Sequence, residues 1–339
     1  MKARLKYLFL LFIGLQTVAK AQDPVFSQFY ANPILINPAF TGSSGAPHLG
    51  FQYRNQWPSW GAYETYAAAF DTYFPEVKSG LGLYLLSDIQ GEGLVSTSEI
   101  QAFYSYQLNM KRDWSVRFGT QLGFGQKSYD WDSYIFLDQI DPITGISEGL
   151  GQSGELRPEE LTASYFDISS GILFSSPEFY AGVSIRHMNR GEDGVILFNN
   201  NRLSSGIPLM LSMQLGTQID FNKGNNRRSA SFISPNILIV KQGDLGQVNA
   251  GAYISSSFIF GGAWYRYSWT NQDAVIMMVG YQQGVVKVGY SYDWTISALQ
   301  AYSGGGAHEI AVSFRFNQSE YFKRRAKINR YNDCLQLFR

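Results

Sequence analysis

The chain has 339 residues, with 27 Lys and Arg set against 27 Asp and Glu, and this zero formal net charge offers no field for nucleic acid. Charged residues make up only 16% of it and aromatics another 16%, an unusual balance beside the roughly 25% charge of soluble domains. A single cysteine, Cys334, excludes an internal disulfide framework.

The N-terminus reads as an export signal. Lys2, Arg4 and Lys6 form a basic region, Tyr7 to Leu15 an apolar one, and Ala19-Lys20-Ala21 a small-x-small cleavage pattern. This assigns 1–21 to a signal peptide and starts the mature chain at Gln22. Residues 22–48 are apolar and punctuated by Asp23-Pro24, Asn32-Pro33 and Asn37-Pro38, steps that disfavour helix and favour extended or turn geometry. An apolar tail is poorly placed in water, so this segment is expected to tuck into a barrel mouth as a partial plug.

Mean hydropathy over the whole chain is −0.15, and past the signal no run approaches a spanning helix. Hydrophobicity is instead spread in alternation. Val286, Val288, Tyr290, Tyr292 and Trp294 share one face, opposed by Lys287, Gly289, Ser291 and Asp293. Ile310, Val312, Phe314 and Phe316 likewise oppose Glu309, Ala311, Ser313 and Arg315. About fourteen such strands follow one another: 49–57, 63–74, 79–88, 94–109, 113–127, 165–175, 178–188, 208–221, 229–240, 245–257, 259–268, 273–282, 285–293 and 307–317. Pro235 makes 229–240 the least regular. Connections after even strands include short ones such as 110–112, 176–177 and Phe258, while those after odd strands include 128–164 and 189–207. Short periplasmic turns and longer outside loops are the habit of outer-membrane barrels. The expected fold is therefore all-β, a transmembrane antiparallel β-barrel over 49–317; a soluble sandwich would need outward faces richer in Lys, Glu and Thr. Residues 318–339, with Lys323, Arg324, Arg325, Lys327 and Arg330, form a basic periplasmic tail, either solvated or docked to a partner.

The sequence offers little chemistry. His48, His187 and His308 sit at strand ends as interface or loop residues, and no zinc, nucleophile-elbow or dinucleotide motif occurs. Asp138, Asp141 and Glu148 supply oxygen ligands for Ca²⁺ but match no EF-hand spacing, so a solvated loop is the simpler reading. No catalytic residue, cofactor or metal is assigned. The expected lumen set mixes Arg54, Arg117, Arg186, Lys287 and Arg315 with Glu99, Asp220, Asp293 and Glu309, which suits an interior knitted by salt bridges better than an ion-selective pore.

Blocks in order along the chain, Gly82-Leu83 with Asp88-Ile89-Gln90-Gly91 among them, resemble the PorP/SprF family of the Bacteroidetes type IX secretion system. The first is Gln22-Asp23-Pro24-Val25-Phe26-Ser27-Gln28-Phe29-Tyr30 continuing to Asn37-Pro38-Ala39-Phe40, and the second Arg54-Asn55-Gln56-Trp57-Pro58. Near the end stand Gly289-Tyr290-Ser291-Tyr292-Asp293 and His308-Glu309-Ile310, while the ending around Cys334 departs from the family's habit. The resemblance implies a non-enzymatic outer-membrane component working with the periplasmic ring and peptidoglycan-linked lipoproteins. It also implies support for the export or surface anchoring of large adhesins, including those used in gliding, amid outer-membrane lipids. A passive transporter of hydrophobic or small polar solutes is the alternative on fold alone.

Overall fold

The structure is a computed structural model that describes residues 23–110, 114–141, 153–189, 207–221, 231–269, 271–296 and 305–316. Its strands are β1 (His48–Gln56), β2 (Tyr63–Phe74), β3 (Ser79–Gln90), β4 (Val95–Asn109), β5 (Ser115–Tyr129), β6 (Thr162–Ser175) and β7 (Phe179–Arg186). They continue as β8, in two pieces (Met210–Thr217 and Ile219–Asp220), β9 (Phe232–Gln242), β10 (Leu245–Ser256), β11 (Ile259–Ser268), β12 (Asn271–Gln283), β13 (Val286–Thr295) and β14 (Ala307–Arg315). Each pairs antiparallel with its chain neighbours, and β1 pairs with β14 from His48↔Arg315 to Gln56↔Ala307, which closes the barrel. Closure leaves no sheet edge to expose unpaired backbone groups to lipid.

Alternation decides which side chains meet lipid. On β5 Leu122 is 60% exposed on the outer wall, whereas its neighbour Gln121 is 1% exposed inside. Leu81, Leu83 and Leu85 repeat the outward face on β3, and Leu211 and Met213 on β8. The inward positions are polar, among them Gln52, Gln101, Ser169, Ser212, Gln214 and Asn249.

The strands follow the expected order, with 63–74 and 259–268 at the expected limits. Where limits move, local geometry explains it. β7 stops at Arg186 rather than running to 188, because His187 turns left-handed at φ +59°. β9 runs to Gln242 and keeps Pro235 inside it. Its β8 neighbour is interrupted at Gln218, so ladder pairing resumes only at Asn236↔Gly216 and the N–H that proline lacks falls at the break. Asp220, expected in the lumen, is exposed in the terminal two-residue piece of β8, where its carboxylate accepts from Gln218 Nε2. Arg315, at the last position of β14, is only half-buried.

Residues 23–47 run inside the barrel. Two 3₁₀ turns, Pro33–Leu35 and Pro38–Phe40, each begin on a proline, which has no N–H to leave unsatisfied at a first helical position. The Asn37 side chain caps the second by accepting from Ala39 N. Phe26, Phe29, Tyr30, Ile34, Ala39 and Phe40 are buried in one apolar cluster with wall residues such as Tyr180, Leu238, Tyr253, Phe260 and Trp264. Glycines in the wall make room. A Cβ at Gly119 would strike the backbone of Pro38 and Ala39, and one at Gly80 the carbonyl of Thr41. Because backbone cannot swing aside as a flexible side-chain tip can, Gly119→Ala is expected to destabilise the protein by about 1–3 kcal/mol. A lower urea midpoint in detergent micelles would register this; an unchanged midpoint would mean the segment is not seated there.

The sequence suggests that this segment stops at one mouth, but in the structure it traverses the lumen. Pro47 O accepts from Phe316 N at the end with short turns, whereas Asp23 reaches His187 and Gln242 where β7 and β9 finish, at the opposite end.

Candidate functional site

Three anchors fix the segment. At the short-turn end, Thr41 O accepts from Ser105 Oγ (2.7 Å) and Arg117 Nη1 (3.1 Å), while Gly42 N donates to Asp71 Oδ2, whose other oxygen meets His48 Nδ1 at 3.0 Å. Midway, Asn37 Nδ2 lies within hydrogen-bond distance of the Ile172 and Val183 carbonyls and of Gln214 Oε1, and Ile36 O accepts from Ser184 and Ser212. On another part of the wall, Lys287 Nζ stands 4.9 to 5.2 Å from the ring centres of Tyr30, Phe260 and Tyr253, and these rings box in the segment's Tyr30.

At the long-connection end lies a buried charge network. Glu309 accepts the backbone N–H groups of both Ser27 and Gln28 at 2.8 Å and meets Arg54 Nη1 at 3.2 Å. Asp293 Oδ2 receives Ser27 Oγ (2.6 Å), Arg54 Nη2 (2.9 Å) and Arg266 Nη1 (2.9 Å), and Arg266 Nη2 also donates to Ser27 Oγ. Two carboxylates thus face two guanidiniums. Removing one member leaves the others charged and buried, a loss of roughly 3–5 kcal/mol for such pairs.

Asp23 holds the tip. His187 places Nε2 2.8 Å from Asp23 and Nδ1 2.8 Å from Asp167, with Arg186 3.3 Å from the same Asp23 oxygen. Burial opposes the His187 charge, but the two carboxylates outweigh it and pull its pKa up to about 10. Burial likewise opposes ionisation of Asp23, yet His187 and Arg186 hold it well below the ordinary carboxylate range. A raised histidine stabilises fully below its unfolded value of 6.5 and loses the effect as pH rises through about 10. A lowered carboxylate stabilises above 3.8 and loses the effect as pH falls through its depressed value. Arg186, Asp167, Gln242 and Glu99 surround the pair and keep its sign. A spin label at Val25→Cys, with Cys334→Ser, should therefore stay immobile between about pH 5 and pH 9 and loosen above about pH 10. Loosening near pH 7 would contradict this.

Among the motif positions, Asp23, Ser27, Gln28, Asn37, Arg54, Asp293 and Glu309 join these anchors, and Phe26 and Pro38 pack beside them. Pro24, Gln56 and Trp57 line an open cavity at the long-connection end. Gly289 gives room to Gln28 and Tyr30, since a Cβ there would crowd both side chains. Ser291 is fully buried. Tyr290, Tyr292 and His308 stand apart from the network: Tyr290 faces outward, its hydroxyl 2.8 Å from His308 Nδ1, with the Tyr292 ring against the same imidazole. Asp138 holds its own loop by accepting from Ser153 Oγ and Gly154 N, and Glu148 and Cys334 lie outside the described residues.

Residues 18–314 match the family described as Type IX secretion system membrane protein PorP/SprF. The chain belongs to the PorP/SprF family. It is a membrane component of the type IX secretion system, and its closed barrel places it in the outer membrane. No curated protein is significantly similar in sequence. Among solved structures, Omp33 of Acinetobacter baumannii aligns over 80% of this chain and 100% of its own, at 8% identity and a TM-score of 0.44. A mutant porin of Rh. blastica aligns over 80% of this chain and 99% of its own, at 8% identity and a TM-score of 0.35.

In this PorP/SprF protein, two network members escape sequence reasoning. Arg266 sits between Tyr265 and Tyr267, and the alternation of those outward tyrosines is the signal that points it inward. His187, read as a strand-end residue, is 1% exposed, because its left-handed backbone folds the ring back between two carboxylates. No pattern in the chain carries that signal.

Proposed function

We propose that the protein is a non-enzymatic partner in type IX export, supporting the secretion or surface anchoring of large adhesins, with gliding as one process it serves. The observation that carries this is the lumen occupied by residues 23–47 and held there by Arg54, Asp293 and Glu309, from three motif blocks in distant parts of the chain. Such an interior suits a scaffold or gatekeeper for protein clients better than a solute channel. On this reading the connections expected at 128–164 and 189–207 face outside the cell for clients, and the short turns and the basic tail expected at 318–339 face the periplasmic ring and its lipoproteins. Residues 23–47 then act as a plug, after a signal peptide at 1–21 has been removed.

The test compares the cell-surface and secreted proteins of a deletion strain with its parent by mass spectrometry. Loss of one or a few large type IX substrates is expected for a client-specific partner, and loss of the whole set for a core part. An unchanged surface sinks the secretion reading, and liposome swelling with selective solute uptake would put the transporter in its place.

A further inference from the structure

The motif residues Tyr290, Tyr292 and His308 take no part in the lumen network and stand on the outward face of β13 and β14. They belong to a wider arrangement that runs on to β1 and β2. Asn55 pairs with Glu64 on one side and with His308 on the other, so these three form one row across the outer wall near the long-connection end. One step closer to the middle of the wall stand Tyr66, Tyr53 and, beyond Ile310, Tyr290. Each tyrosine hydroxyl engages the row above it. Tyr66 OH donates to Glu64 Oε2 at 2.9 Å, Asn55 Nδ2 donates to Tyr53 OH at 3.3 Å, and Tyr290 OH lies 2.8 Å from His308 Nδ1. The Glu64 and His308 contacts are exposed on the outer surface. Tyrosines with an apolar body and a wet tip mark the level where hydrocarbon gives way to head groups, and Trp294 stands exposed at the same end.

Below the tyrosines the wall is hollow. Ala68 pairs with Phe51 and with Leu85, and on the same outward face of β2 it lies between Tyr66 and Phe70. Its methyl group stops short of these bulky neighbours. The result is an apolar hollow of about 440 Å³, bounded on the β14 side by Ile310 and Val312. Ligand clefts run from roughly 300 to 1,000 Å³, and strand alternation turns this one toward hydrocarbon. Apolar below and polar above, it fits an amphipathic occupant with a chain in the hollow and a head at the row.

Charge decides the kind of head. Among the described outward-facing residues of β13, β14, β1, β2 and β3 there is no Lys or Arg, and Glu64 is the only acid. A phosphate head would meet that carboxylate with no Lys or Arg to offset it. A sugar instead presents hydroxyl groups, which donate to a carboxylate and pair with an imidazole in either direction. Glu64 and His308 are two strands apart, about 10 Å at 4.7–4.9 Å per strand, a distance one sugar ring bridges with a hydrogen bond at each end. We propose that this face binds a sugar-headed lipid, its head held by Glu64 and His308 and one acyl chain lying in the hollow over Ala68. The site is separate from the lumen and independent of the export role.

The test places the full-length protein in micelles with equal amounts of galactosyl diacylglycerol, phosphatidylethanolamine and phosphatidylglycerol of identical acyl chains, and reads bound lipid by native mass spectrometry. Retention of one galactolipid per barrel is expected, in preference to both phospholipids. Ala68→Trp fills the hollow and Glu64→Gln removes a charged acceptor, and each should lower retention about tenfold. Ala263→Trp, also outward but on β11, should change nothing. Heat-sensitive mobility on a denaturing gel shows that each variant is a closed barrel. Equal retention of the three lipids, preference for either phospholipid, or indifference to Ala68→Trp or Glu64→Gln would each overturn the proposal. So would a dimer of the full chain that Ala68→Trp dissolves, because the hollow would then belong to a second copy.

Discussion

Deleting residues 23–46 should turn a closed barrel into a conducting one. The wall that faces this segment is studded with Ser, Gln, Asn and Arg, which water can solvate once the segment is gone. In planar bilayers at neutral pH the expected ion conductance of the deletion variant exceeds that of the full chain by more than about tenfold, because conduction needs a continuous polar path. Equal conductance with and without the segment would mean that it does not close the lumen. Retained closure of the barrel itself can be checked from its compact, heat-sensitive mobility on a denaturing gel.

The largest single-residue effect is expected at Glu309. Its carboxylate takes two backbone N–H groups of the segment and one guanidinium, so Glu309→Gln leaves Arg54 and Arg266 sharing a single carboxylate in a buried site. Breaking such a pair costs about 3–5 kcal/mol, which should raise amide exchange at Ser27 and Gln28 by roughly two to four powers of ten. The amides of β3, β4 and β5, held by ladder bonds across the barrel wall, should exchange as before. Protection that persists at Ser27 and Gln28 would show that the apolar packing of Phe26 and Phe29 holds the segment without the charges.

The wall is more legible in the sequence than its contents. Strands with strict alternation, such as Tyr63–Phe74, can be delimited because one face must meet lipid and the other must not. Pro235 looks disruptive in isolation and is harmless only because the break in β8 faces it, a relation between segments that periodicity does not carry. The same holds for the charge network. Arg54, Asp293 and Glu309 are recognisable as inward residues, but their meeting with Ser27 depends on the path of a segment whose Ser27 and Gln28 N–H groups reach a carboxylate 282 and 281 residues away in the chain. How far residues 23–47 reach follows from the fit of wall glycines such as Gly119 to specific backbone atoms, and no local pattern encodes it.

The path of that segment also constrains how the protein can be built. The seam between β1 and β14 joins the two ends of the barrel, His48 to Arg315, and is the pairing with the greatest loop to close. Residues 23–47 cannot be drawn into a finished cylinder past Arg117, Asn37's wall partners and Lys287 without undoing them, so the sheet is expected to wrap around this strip as around a mandrel. Assembly would then begin with the earliest-made residues and end at the seam. A reporter attached ahead of Asp23 would have to travel the length of the bore to emerge at the long-connection end, which makes the 91–94 or 243–244 turns better places to mark the protein than its beginning.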